Sequence, residues 1–169
     1  MGVVQPGNTV VNLRTALARG TLGRRWPKDD EFKEAWVRFR LYSRPVDRCK
    51  FILETLEESH GHREGVDPSA ATIEHVMPQT LSAEWRQDLG PSAEKTYELW
   101  LHTVGNLILS AYNSELSNSP FVVKKCLLGD SHFELNRSVG VRSKWDAEEI
   151  GQRAEELWSL AQGAWLRPA

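Results

Sequence analysis

Two short strand candidates, the β-branched ATIEHV at residues 71–76 and the apolar VGNLILS at residues 104–110, most restrict the folds open to this chain. Each is strand-length rather than helix-length, and Pro78 stops the first just beyond His75. Between them, Ser82 to Leu89 and Ser92 to His102 read as helical turns with Trp85 and Trp100 turned inward. Ser119-Pro120 then opens a helix, FVVKKCLL. The pattern predicts a strand–loop–strand–helix insert over residues 71–128.

The rest of the chain has helical periodicity. Asn8 to Ala18 reads as a short helix with Asn8 as a cap, and residues 20–27 as a basic loop holding Arg24, Arg25 and Trp26. Asp29 or Asp30 opens a helix whose stripe is Phe32, Ala35, Trp36 and Phe39. Pro45 starts another, with Val46, Cys49, Leu53 and Leu56 on its apolar face. His60 to Ser69 is polar and contains glycine and proline, hence a loop. The strongest helix is Asp146 to Ala161, where Ile150, Ala154, Leu157, Trp158 and Ala161 share one side. The expected class is therefore mainly α with a small strand–strand–helix (ββα) insert, α+β overall. It divides into a helical lead-in with a basic face (1–70), the insert (71–128) and a C-terminal helical segment (129–169), all within one compact domain. Seven tryptophans in helical settings read as core.

Composition excludes several classes. No apolar run approaches the ~18 residues of a membrane span, and the N-terminus lacks the pattern of a signal peptide. Cys49 and Cys126 are far apart and in no C-x-x-C pair, which argues against a zinc knuckle and for a reduced, cytoplasmic setting. The net charge of −2 hides an asymmetry. Residues 1–50 hold 11 of the 21 Lys and Arg but 5 of the 23 acids. One basic face toward a polyanion, or chance clustering on solvated helices, accounts for it equally well.

The insert gathers the chemistry: Glu74-His75 in TIEHVMPQ, Asn106 in GNLIL, Asn113 in YNSELSN, and the pair Lys124-Lys125. If the strands pair and the helix crosses them, these groups converge. Phosphodiester hydrolysis needs a base to deprotonate water, and histidine has the right proton affinity. It needs charge neutralisation, which Mg²⁺ supplies through hard oxygen ligands such as a carboxylate and an amide oxygen. It also needs the imidazole held in one tautomer. Lysines can contact flanking phosphates, as can the arginines of the basic loop. Singly, each residue has a plainer role: a core histidine, a solvated acid, a turn Asn106, a helix-capping Asn113, a solvated lysine face.

Together, TIEHVMPQT, LHTVGNLILSAYNSELSNSPFVVKK and the trailing RAEELW resemble the C-terminal HNH nuclease domain of GmrSD-type restriction endonucleases, a group that includes SspE-like phage-defence proteins. RRWPKDDEFKEAW and CKFILETLEES resemble that domain's helical lead-in, so the likeness covers roughly residues 25–165. The resemblance implies a ββα-metal (His-Me) finger in the insert. It implies His75 as general base and Asn106 as the residue that positions it. Glu74 and Asn113 become ligands of Mg²⁺, with Mn²⁺ as substitute, and Asn118 is the alternative to Asn113. Lys124, Lys125, Arg24, Arg25 and Asn118 are the candidate DNA contacts. The implied partners are phage DNA, modified or not, and an N-terminal ParB-like nucleotide-binding domain. No such domain and no Walker motif occur here, so the chain reads as an excised nuclease module. Three other readings stay open: a catalytically silent nucleic-acid-binding module, an RNase toxin and a helical interaction domain.

Overall fold

The computed structural model describes residues 9–20, 25–43, 45–61 and 67–167. The expected cap Asn8, Arg24 and part of the 60–69 loop lie outside them. In chain order the elements are α1 (Thr9–Arg19), α2 (Asp29–Arg38), α3 (Asp47–Glu58), β1 (Thr72–His75), α4 (Ala83–Leu89), α5 (Ala93–Trp100), β2 (Leu107–Ser110), α6 (Asn113–Leu116), α7 (Phe121–Gly129), α8 (Glu134–Gly140) and α9 (Ala147–Ala164). The described residues are mostly helical, with one two-stranded antiparallel sheet.

The sheet pairs Thr72 with Ser110, Ile73 with Leu109, Glu74 with Ile108 and His75 with Leu107. All four residues of β2 are buried, because it runs between two cores. Leu107 and Leu109 face a core built from Trp36, Cys49, Leu53, Leu157 and Trp158. Ile108 faces a second core of Val76, Trp85, Trp100, Phe121 and Trp145. Strand alternation thus divides the helices into two layers, and the layers give a two-stranded sheet the cover it needs to persist in water.

The long helix α9 starts where Asp146 caps it, accepting from the backbone N–H of Glu148 at 3.0 Å and Glu149 at 3.1 Å. Those two acids also complement the positive end of its dipole. Its buried face carries Ile150, Ala154, Leu157, Trp158 and Ala161, and also Arg153. Helix α2 lies against it: Trp36 Nε1 donates to Ala154 O at 3.0 Å, and Phe32 packs edge-on to Trp158. In α3, Cys49, Leu53 and Leu56 are buried as their spacing predicts, but Val46 sits at the cap, largely exposed.

Residues 104–106 differ from the expected strand. They form a 3-10 turn, and β2 starts only at Leu107. Gly105 presses against α9 so closely that an added Cβ would lie 2.2 Å from Ile150 O. Arg153 Nη1 donates to the carbonyls of Val104, Gly105 and Leu107 at 2.8–3.2 Å. A buried guanidinium thus serves as the polar staple of this turn, and burial lowers its pKa to about 9. Helices α6 and α8 had no counterpart in the sequence pattern.

Candidate active site

The end of β1 carries Glu74 and His75 to the rim of a polar cleft of about 230 Å³, lined also by Pro78, Gln79, Asn113, Ser117 and Asn118. Three residues hold that strand end, each differently.

Asn106 is completely buried, and its amide is fully used. Oδ1 accepts from Met77 N at 2.7 Å and Trp145 Nε1 at 3.0 Å; Nδ2 donates to Met77 O at 3.0 Å and Leu101 O at 2.9 Å. Its own carbonyl accepts from Val76 N at 3.0 Å. The side chain therefore grips the backbone just beyond His75 and makes no hydrogen bond to the ring, so what it can position is the strand end that carries the imidazole.

Asn113 begins α6 and ties it back to β1 rather than capping the helix. Nδ2 donates to Thr72 Oγ1 at 2.8 Å and Ile73 O at 3.1 Å. Its Oδ1 is buried and has no hydrogen-bond partner among the described residues. A buried amide oxygen left without a donor is uncommon, and Asn136 Oδ1 is left the same way outside the cleft; what sets Asn113 apart is its place on the cleft beside Glu74.

Lys124 is fully buried. Nζ donates to Glu74 Oε1 at 2.9 Å and to His75 O at 2.8 Å. This corrects its expected place on a DNA-facing surface: on α7 it shares the inward stripe of Phe121 and Leu128. Burial lowers its pKa, and the Glu74 carboxylate works against that shift.

His75 is 2% exposed. Nε2 lies 3.1 Å from Nδ1 of His102, and Tyr42 packs edge-on to the ring at 4.7 Å. Burial, aided by His102 and Lys124, lowers its pKa to about 3, so the imidazole is neutral near pH 7. Sequence reasoning assigned no role to His102 or Tyr42. Only the tertiary contact between residues 40–42 and 102–103 unites them, and nothing local signals it.

The remaining candidates separate. Asn118 lines the cleft and is exposed. Lys125 is half-buried on α7. Arg25 is paired with Glu31 at 2.8 Å, and Arg24 lies outside the described residues. A larger cavity, about 640 Å³, is elsewhere: an apolar groove between α2 and α3 lined by Trp26, Phe32, Trp36, Phe51 and Trp165. It lacks the convergent polar groups of the smaller cleft, which is the better site for chemistry.

Among the described residues no three His, Cys, Asp or Glu side chains are placed to hold a metal ion. The donors that do fit a hard cation are the orphaned Asn113 Oδ1 and the Glu74 carboxylate, whose Oε2 takes no hydrogen bond from described residues. No described helix is long and apolar enough to cross a membrane.

Comparison with known families places the chain among restriction endonucleases. Residues 26–160 match the family described as GmrSD restriction endonucleases, C-terminal domain, and the chain belongs to that family. None of the curated proteins matches it.

Proposed function

We propose that the chain is a metal-dependent HNH-type DNA endonuclease domain, with β1, β2 and the α6–α7 segment as its ββα finger. The observation that carries this reading is one polar cleft lined by Glu74, His75 and Asn113, with an amide oxygen of Asn113 left without a donor. His75 Nδ1 has no hydrogen-bond partner among the described residues. It is the atom that takes the proton from the attacking water while the P–O bond to the leaving oxygen breaks. Burial, which lowers the His75 pKa to about 3, makes it a weaker base than the near-neutral histidine that the sequence suggests. Glu74 and Asn113 hold a divalent ion, Mg²⁺ or Mn²⁺, which neutralises charge on the phosphate and leaving oxygen when bound. With two protein donors the ion depends on phosphate oxygens for the rest of its shell, so affinity is low without DNA. Lys125, Asn118 and the 20–27 loop with Arg24 and Arg25 are the proposed backbone contacts, with Arg25 first having to leave Glu31. Phage DNA is the proposed target, and a nucleotide-binding domain of the ParB-like type its proposed partner.

The Lys124–Glu74 ion pair favours a second reading, a nucleic-acid-binding module that never takes up metal. Plasmid nicking with Mg²⁺, with and without EDTA, separates the two. Cleavage that EDTA stops and that a folded His75→Ala protein lacks supports the nuclease. Equal cleavage by wild type and folded His75→Ala removes His75 as base, and DNA retention without cleavage in any divalent metal establishes the binding module.

A further inference from the structure

We infer that His102 is the positioning residue of this site, setting through its Nδ1 which nitrogen of His75 is free to face water. The inference rests on the reading of His75 as the base. A general base must present a lone pair, and a neutral imidazole has one bare nitrogen and one N–H. Among the described residues the His75 ring has one hydrogen-bond partner, His102, with Nε2 and Nδ1 3.1 Å apart. One hydrogen occupies that contact, so the two rings have two joint arrangements. In the first, His75 Nε2–H donates to a bare His102 Nδ1, and His102 carries its own hydrogen on Nε2. In the second, His102 Nδ1–H donates to His75 Nε2, and the hydrogen of His75 moves to Nδ1, where it blocks the base.

Two observations favour the first arrangement. Geometry joins Nε2 of one ring to Nδ1 of the other, so the productive arrangement puts both rings in the Nε2–H form, the commoner tautomer of a neutral alkylated imidazole. The reverse forces both into the rarer one. Second, the contact is built to persist. Tyr42 stacks on His102 at 5.5 Å and meets His75 edge-on at 4.7 Å, so one ring braces both. Tyr42 N also donates to His102 O at 3.1 Å, and Arg40 bridges to Thr103 in the same short pairing. Asn106 fixes the backbone beyond His75, and His102 fixes its ring. Such outer partners orient the reacting imidazole in other sites, and losing one typically lowers activity about 10–100-fold.

Long-range ¹H–¹⁵N correlation of the histidine rings at neutral pH, in the metal-free protein without DNA, reads the tautomer directly. His75 is expected as Nε2–H in the wild type. His102→Phe keeps a ring against Tyr42 but removes the acceptor. It is expected to lose that preference and to lower kcat for plasmid nicking about 10–100-fold with KM little changed. His102→Asn, whose Oδ1 stands near the position of Nδ1, is expected to restore the tautomer and most of the rate. A wild-type His75 in the Nδ1–H form overturns the inference, and so does His102→Phe that keeps both tautomer and rate. If His102→Phe does not fold, the wild-type spectrum and His102→Asn still decide. Failure of the base reading shows separately, as nicking by folded His75→Ala.

Discussion

Replacing Lys124 by methionine removes an ammonium from the interior while keeping most of the stem's volume. In the wild type that ammonium is wholly buried, 2.9 Å from Glu74 Oε1 and 2.8 Å from His75 O. Breaking a buried pair by deleting one partner costs about 3–5 kcal/mol, because the other charge stays desolvated. The Glu74 side chain keeps 15% exposure through the cleft, so the carboxylate is partly rehydrated. That puts the ion-pair loss near the bottom of the range, and the bond lost at the His75 carbonyl adds about 1 kcal/mol. A total of about 4 kcal/mol in a domain of this size lowers Tm by roughly 8–16 °C. Thermal unfolding followed by far-UV circular dichroism, on wild type, Lys124→Met, Glu74→Gln and the double variant, measures it. The double variant should recover part of the loss, since a neutral amide is cheaper to leave unpaired than a carboxylate. A Lys124→Met midpoint within about 2 °C of wild type refutes the buried pair, and so does strict additivity in the double variant.

Three other outcomes are expected. The folded His75 ring stays neutral down to about pH 3, whereas the unfolded ring protonates near its ordinary 6.5. Its contribution is therefore complete above pH 6.5 and is lost as pH falls toward 3, at up to about 1.4 kcal/mol per pH unit. Urea unfolding between pH 6.5 and 5 should cost the wild type about 1–2 kcal/mol more than His75→Gln, and equal losses would contradict it. Ser117, at the cleft rim, holds a φ of +33°; Ser117→Gly should raise stability by about 0.5–1 kcal/mol in the same assay, and a fall would show that the side chain outweighs the strain. Asn106→Ala strands Met77 N, Trp145 Nε1 and two carbonyls in the interior. It should cost about 4 kcal/mol or more and abolish nicking; a denaturant midpoint close to wild type would refute the clamp.

Elements with a long apolar period were readable from the sequence. The stripes of α3 and α9 predict most of their buried faces, and the two strand-length runs predict β1 and β2. Of the stripe expected for α2 only Trp36 is buried, with Phe32 half-buried and Ala35 and Phe39 exposed, Phe39 lying just past the helix end. Helices α6 and α8 are four and seven residues long, too short for a period to show, and tertiary packing makes them. Around α8 that packing depends on Gly129 and Gly140, where an added Cβ on Gly140 would meet the Gly129 backbone at 2.4 Å. Val104 looked like the start of a strand, but the need to deliver Asn106 to Met77 and Leu101 turns that stretch into a 3-10 turn. Lys124 departs from what its neighbourhood in the sequence suggests. Two adjacent lysines suggest a wet face, yet Phe121, Lys124 and Leu128 already share the helical spacing of the inward stripe. Proximity of Glu74, His75 and Asn113 could be read from the order of strand, strand and helix. The His102 contact could not, since it depends on how residues 40–42 approach the turn after α5.

Because β2 is shared by both cores, neither layer can open without exposing the strand that serves the other. Its amides should exchange with solvent only when the whole domain unfolds, as the slowest cooperative unit of the molecule. Glu74 and His75, hydrogen-bonded to that strand, then lie on the part of the chain that breathes least. The rim around Ser117 and Asn118 is left to make whatever local adjustment a bulky strand requires on entry.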